Sequence, residues 1–586
     1  MPDKSYPDGS PPLGADHGAA GQVRLTLRAA LDMARKRLND GAYAAAAELY
    51  RQIVQAFGQN FEALHNLGIA LHKLGRNDEA LAAIDRAIQA RPDDVRGVHA
   101  RAGILAALER YDEAIECFRQ VLRSQPDCVE AWCNLAGAYM RQGKLDLAAE
   151  AIDRAAELRP GCSDQLIGLG IAYQGQRKFQ QAEAVFRRVL QSNPASAPAL
   201  ANLAAAVMDQ GRLDEAMEAL TRAQGLAPHL AGVRVNMGTA LVRMGRYDEA
   251  MEKFDQAVRI DPDDAAAHFS RGIILLRRGD LAEGWKEYRW RWRWNEFVSV
   301  RLARRFNQPP WDGRNMEHRP ILIHFEQGIG DVIQFVRYVP RVIQERSGGV
   351  VLEVQDSLLR LAGRISGIER IVPAGADLGS VWAYCAVMDL PAIFGTTLET
   401  IPADVPYLSP YPQDVQAWQQ RLGRHDRFRV GLAWAGNPVN PIDARRSIGA
   451  ALLRPLVEIA GIDFYSLQVG RNDDLPQLGA DKVTDLSPHL KDFADTAAAI
   501  SQLDLVISVD SAVAHLAGAM GKKVWLMLCR CDEWRWLENR QDSPWYPTMR
   551  IFRQEQDGDW PGVIGRIAAA LKEGDGTKGT DSFFAV

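Results

Sequence analysis

The chain has 586 residues, enough for several folded units, and its 47% hydrophobic and 24% charged residues are ordinary for soluble globular protein. A net charge of −5 counts against a nucleic-acid-binding protein, which usually brings an overall basic character. Cys117, Cys128, Cys133, Cys162, Cys385, Cys529 and Cys531 are scattered without paired Cys-x-x-Cys units. That spacing counts against structural zinc and reads as reduced, buried thiols. Residues 1–22 are rich in Pro, Gly and Asp and lack an apolar core, so they read as a disordered lead rather than a signal peptide or anchor. No uncharged apolar run long enough to span a membrane occurs, since even the segment around Val509–Gly518 carries Asp510 and His515. A cytoplasmic location is the expectation.

From residue 23 to 298 proline marks a period: Pro92, Pro126, Pro160, Pro194, Pro228 and Pro262 are each separated by 34 residues. Small residues recur in register upstream of them, as in Leu67/Gly68/Ala80, Leu135/Ala136/Ala148, Leu169/Gly170/Ala182 and Met237/Gly238/Ala250. They stand where two helices must approach closely. In the final copy Gly284 replaces the second-helix Ala and no Pro follows.

This pattern resembles the tetratricopeptide repeat, since period and small-residue positions agree. The resemblance implies a superhelix of helical hairpins with a concave, peptide-binding groove. Asn66, Asn134, Asn202 and Asn236 share one repeat position. They are candidates for a ladder holding the backbone of an extended acceptor peptide, an arrangement similar to that of eukaryotic O-linked N-acetylglucosamine transferase. The competing reading is that they bridge neighbouring helices.

The stretch at 287–297 alternates Arg and Trp. Read as a continuation of the last repeat helix, it places Trp285, Tyr288 and Trp292 on one stripe and Trp290, Trp294 and Phe297 on another, with Arg289 and Arg293 stacked between. A helix apolar on two faces is buried on two sides, so structural coupling to the next domain is expected in preference to a polyanion patch.

After a Pro/Gly-rich linker at 299–318 the pattern changes to alternating strands and helices. Strands are expected from 321, at "VVLEV", "IERIV" and "VWAYCAVMDL", and, in a second set, at "RVGLAW", "DFYSLQV", "KVTDL", "DLVISV" and "KVWLML". The expected organisation is an N-terminal Rossmann-like half at 319–408, an inter-lobe linker at 409–427, a C-terminal half at 428–572 and a flexible tail at 573–586. The whole chain is then a multidomain protein, an all-α superhelix followed by an α/β region with a cleft between two sheets.

Two turns open helices directly after strands: "EQGIGD" in the first half and "SVDSAVAHLAG" in the second. Together with the repeats they resemble glycosyltransferases of the GT-B fold, in particular the bacterial heptosyltransferase-like family 9. The resemblance implies that Asp331, with Glu326 as the next choice, acts as catalytic base on an acceptor hydroxyl. It also implies that Gly328, Gly330, Asp510, Ser511, Ala512, Val513 and His515 bind the donor, with His515 able to add a proton or positive charge to phosphate. Arg445 and Arg446 are expected to clamp phosphate. Plainer readings stand beside these, with Asp331 or Asp510 as helix caps, His515 as an ordinary buried histidine and the two arginines as a solvated pair. Trp545 and Tyr546, in the segment 531–554, are expected either at the cleft mouth or as an anchor for the C-terminal helices.

No metal and no cofactor are expected, the nucleotide sugar being a co-substrate. The combination resembles bacterial tetratricopeptide-fused protein glycosyltransferases, including the flagellin-modifying kind that transfers a nonulosonic acid such as pseudaminic acid. That resemblance implies a protein acceptor, flagellin favoured and possibly with its chaperone. The alternatives are an assembly scaffold with a degenerate transferase domain, and a surface-polysaccharide or lipid-linked sugar transferase.

Overall fold

The computed structural model describes residues 26–159, 163–294, 306–347, 349–423, 427–437, 443–479, 481–530 and 533–574. The lead at 1–22, the linker residues 299–305, the tail from 575, and Cys162, Phe297 and Cys531 lie outside the described residues. Two compact units divide the chain, Met1–Pro228 and His229–Val586.

Among the described residues the first unit contains twelve helices, from Leu27–Asn39 to Leu213–Leu226, arranged as antiparallel hairpins. Their apolar residues follow helical spacing: Tyr111–Ser124 buries Ala114, Ile115, Phe118, Val121 and Leu122. The small residues stand where helices touch, as the sequence requires. A Cβ on Gly68 would come 2.5 Å from Ile84, and one on Gly170 would come 2.4 Å from the Phe186 ring. The turn inside each hairpin needs a left-handed residue. Gly41, Gly75, Gly143 and Gly211 supply it with φ between 72° and 81°, and Glu109 and Arg177 take the same turn at φ 60° and 59°. At those two places a side chain occupies a conformation that glycine adopts without strain.

The second unit begins with two more hairpins, Ala231–Arg243 with Tyr247–Ile260 and Ala265–Arg278 with Leu281–Tyr288. Here the structure departs from the expected continuous helix. It ends at Tyr288, and Arg289–Arg293 form a 3₁₀ turn. With about three residues per turn instead of 3.6, the two expected stripes break up. Trp285 and Tyr288 are buried, but the central cation is Arg291, at 0% exposure, while Arg289 and Arg293 remain exposed. Trp290 stacks on His268 at 3.9 Å, and the Arg293 guanidinium lies over the Trp290 ring.

Two all-parallel sheets follow. The first contains β1 (Ile321–His324), β2 (Val350–Val354), β3 (Arg370–Pro373) and β4 (Ala383–Ala386) in the order β3-β2-β1-β4. The second contains β5 (Phe428–Ala433), β6 (Ile462–Ser466), β7 (Val483–Asp485), β8 (Leu505–Val509), β9 (Lys523–Leu528) and β10 (Met549–Arg553), ordered β10-β9-β8-β5-β6-β7. Strand β10 is an addition to the sequence reading, which took 531–554 as a loop. It pairs parallel with β9 and extends the sheet edge. Buried on both faces, β2 and β8 read as nearly continuous apolar runs, as central strands of parallel sheets do. The order in which successive strands are added reverses between β1 and β4 in one sheet and between β5 and β8 in the other, and crevices outside strand carboxyl ends at such points are the usual ligand sites of open α/β sheets. Cys117, Cys385 and Cys529 are buried free thiols as expected, whereas Cys128 and Cys133 are only half-buried.

Candidate active site

A cavity of about 800 Å³ opens at the carboxyl ends of β1, β5, β6 and β8. Gly328, Gly330, Asp331, Arg446, Asp510, Ser511, Ala512, Val513 and His515 all line it. Residues from two turns almost two hundred positions apart therefore meet at one place. Gly330 shows how tightly. A Cβ there would lie 2.9 Å from His515 Cδ2, so the loop after β1 rests against the helix Ala512–Ala519.

Asp331 is both cap and wall. One carboxylate oxygen accepts from the Gly328 N–H at 2.8 Å, closing the first turn of the helix Ile329–Phe335, and the other pairs with Arg535. Arg535, which the sequence reading did not single out, is buried and also pairs with Glu533. Burial works against its charge, but the carboxylates of Asp331 and Glu533 outweigh that and hold its pKa above the usual arginine value.

Glu326, the alternative base, does not line the cavity. Its carboxylate is 5% exposed and bonded to Arg291 at 2.7 Å, and Arg291 also reaches Asp389 at 2.8 Å. Burial, with the Asp389 charge adding and Arg291 opposing, pushes the Glu326 carboxyl up to about 7. The structure thus does not bring Glu326 to the cavity with Asp331, because its carboxylate is enclosed behind the loop and held by a buried guanidinium.

In the second half, burial pushes Asp510 up to about 6, with the nearby Glu533 charge adding. For His515, burial, reinforced by Arg535, Arg337 and Arg446, pushes the pKa well below the ordinary value, against the expectation that the ring adds positive charge, and its Nε2 stands 3.7 Å from Asp510 Oδ1. Its Nδ1 is 2.9 Å from the Tyr546 hydroxyl. Ser511 does not cap its helix, because its hydroxyl bonds Ser508 Oγ at 2.9 Å. The first-turn amides of Ala512–Ala519 thus begin at the cavity wall, where a helix N-terminus favours anions.

Of the two arginines, Arg446 lines the cavity and bonds Asp443 at 3.2 Å, while Arg445 does not line it and bonds Asp557 at 3.1 Å. Trp545 and Tyr546 are not at the mouth either. Both are 0% exposed, and Arg337 lies against both rings while bonding the Trp545 carbonyl. Gln468 is a further wall residue the sequence did not mark, its Oε1 accepting from the Trp434 and Ala435 amides.

The candidate peptide-binding amides divide. Asn134 is exposed and lies 3.3 Å from His99 Nε2, beside a groove of about 370 Å³ that His65 and His99 also line. Asn66 bonds its neighbour His65, and Asn202 donates to Pro198 O of its own helix, so neither of these bonds bridges neighbouring helices, whereas the Asn134–His99 contact does. Asn236 is half-buried on Ala231–Arg243 in the second unit.

A family model described as the C-terminal domain of cilia and flagella-associated protein 70, of tetratricopeptide type, matches residues 94–291, and a tetratricopeptide repeat model matches 37–103. The paired helices are tetratricopeptide repeats. Protein FlbA of Caulobacter vibrioides is 29% identical over 319 residues, covering 50% of this chain and 52% of FlbA. The chain thus spans about half the length of that curated relative. Among solved structures, a tetratricopeptide repeat protein from Parabacteroides merdae aligns with TM-score 0.34 and 16% identity over 42% of this chain and 98% of its own. MamA from Desulfovibrio magneticus aligns with TM-score 0.27 and 20% identity over 29% of this chain and 96% of its own. Among the described residues no helix is long and apolar enough to cross a membrane.

Proposed function

We propose that the two sheets form a GT-B glycosyltransferase and that the repeats hold its protein acceptor. The observation that carries this reading is the convergence of the two strand-to-helix turns on one cavity at the strand carboxyl ends. Its size is in the range of small-molecule sites, about 300–1,000 Å³. In this reading a nucleotide sugar lies with its phosphates against the first turn of Ala512–Ala519, with Arg446 meeting the charge that grows on the leaving group. His515 packs against the Gly330 turn and lines the cavity beside it. Asp331 faces the acceptor hydroxyl and takes its proton as the oxygen attacks the anomeric carbon, an inverting displacement. The acceptor is a Ser or Thr of a protein, flagellin favoured, and the sugar a nonulosonic acid or another activated sugar.

One observation favours the scaffold reading instead. Both Asp331 oxygens are engaged, by Gly328 and Arg535, so a competent base must exchange one of those bonds for the acceptor. Calorimetric titration of the full chain with UDP, GDP, ADP and CMP separates the two. Saturable binding of one nucleotide, weakened by Ser511→Tyr, is expected of a transferase. A chain that binds none of them is a scaffold.

A further inference from the structure

The loop at 326–331 contains two glycines, and ordering such a segment is entropically costly. Gln355 Nε2 donates to the Gln327 carbonyl at 3.1 Å, and two further anchors come from the last helical hairpin and the turn that follows it. Gln327 Nε2 donates to the Tyr288 hydroxyl at 2.9 Å, and Glu326 is held by Arg291, which is 0% exposed. The same hairpin grips the opposite wall. Trp285 packs edge-on against Trp534 with centroids 5.2 Å apart, and Arg277 Nε donates to Glu538 Oε1 at 2.8 Å. The Glu538 N–H in turn donates to the Arg277 carbonyl at 3.0 Å. Between these anchors Asp331 and Arg535 pair across the cavity.

We infer that the hairpin Ala265–Arg278/Leu281–Tyr288 with its Arg289–Arg293 turn is a positioning element of the cavity: Tyr288 and Arg291 set the loop at 326–331, Trp285 and Arg277 set the segment 533–538, and the placement of Asp331 against Arg535 depends on both. The final repeat is then a working part of the sheet-bearing unit as well as an end of the array. Its bearing on sugar transfer rests on the reading above, but the positioning itself does not.

Hydrogen exchange of the ligand-free full chain, followed by mass spectrometry, tests this with variants that each remove one anchor. Tyr288→Phe should speed exchange across 326–335 by about threefold to tenfold, the effect of one lost hydrogen bond, and leave 533–538 and the helix Ala512–Ala519 as in the parent. Glu538→Ala should loosen 533–538 and leave 326–335 unchanged. Parent-like exchange at 326–335 in Tyr288→Phe, or a uniform rise across the whole second unit, overturns the inference, the latter because it reports plain destabilisation. A parallel titration with UDP, GDP, ADP and CMP keeps the two ideas apart. Absence of binding in the parent removes the transferase reading while the exchange result still decides the positioning role.

Discussion

Ion pairs in the first unit and around the cavity are built from the same residues and do different things. Arg154–Glu157 and Arg123–Glu116 lie on the outside of the helices with both side chains more than half exposed. Such pairs are screened and contribute about 0–1 kcal/mol. Arg291 with Glu326 and Asp389, and Arg535 with Asp331 and Glu533, are enclosed, and removing one partner strands the others in a low-dielectric interior. In the repeats, small residues at a fixed period set the geometry and charge is an accessory. Around the cavity, charge sets the geometry and the period carries no information.

The largest expected effect lies on this contrast. Arg291→Met should destabilise the second unit by about 3–5 kcal/mol, the usual consequence of orphaning a buried carboxylate. Arg154→Gln should leave the thermal midpoint within scatter of the parent. Equal melting of parent and Arg291→Met would erase the distinction.

Asp510 sharpens it through pH. The folded-state pKa of about 6 lies above that of an unfolded aspartate, near 4. Below pH 4 both states hold the proton and stability is unaffected. As pH rises through 6 the unfolded chain has already released its proton while the folded chain must accept a buried charge, so stability falls and stays lower. Asp510→Asn should therefore stabilise by about 2–3 kcal/mol at pH 8 and by nothing at pH 4, measured as paired melting curves. A pH-independent difference would show that the carboxylate is not desolvated. The gain should come with weaker ligand binding, since strain retained at such a position is usually functional.

Smallest are two changes inside the repeats, expected to have opposite signs. Gly170→Ala should destabilise by about 1–3 kcal/mol, because its Cβ would meet the Phe186 ring. Glu109→Gly should stabilise by up to about 1 kcal/mol, relieving the left-handed turn at φ 60°. Denaturant unfolding of the first unit reads both, and a shared sign would mean that packing and turn strain have been misassigned.

The same contrast explains what the sequence disclosed. A 34-residue period announces hairpins because each copy repeats the same steric demand, and the Gly68 and Gly170 contacts are where that demand falls. Glu109 and Arg177 hide the turn that the glycines at the equivalent positions reveal. The two turns at the cavity were legible because Gly-x-Gly-Asp and Asp-Ser stand between an apolar strand and a helix. Arg291 and Arg535 were not. The partners that tie them to the loop after β1, Glu326 and Asp331, lie 35 and 204 residues away, and the local Glu533 beside Arg535 does not by itself mark an arginine that will be buried. The choice between Asp331 and Glu326 turned on which side of one short loop each carboxylate occupies, which is settled by tertiary packing. Strand β10 was masked by the Trp-rich segment leading into it, whose aromatic residues suggest a surface loop until they are found in the core.

The measurement that bears most directly on function is the intact mass of flagellin from cells carrying the parent chain, from cells lacking it and from cells carrying Asp331→Asn. The expected result is flagellin heavier by one or more glycosyl residues only with the parent, since loss of a general base costs about 10²- to 10⁴-fold in rate. Identical flagellin masses in all three would contradict the transferase reading.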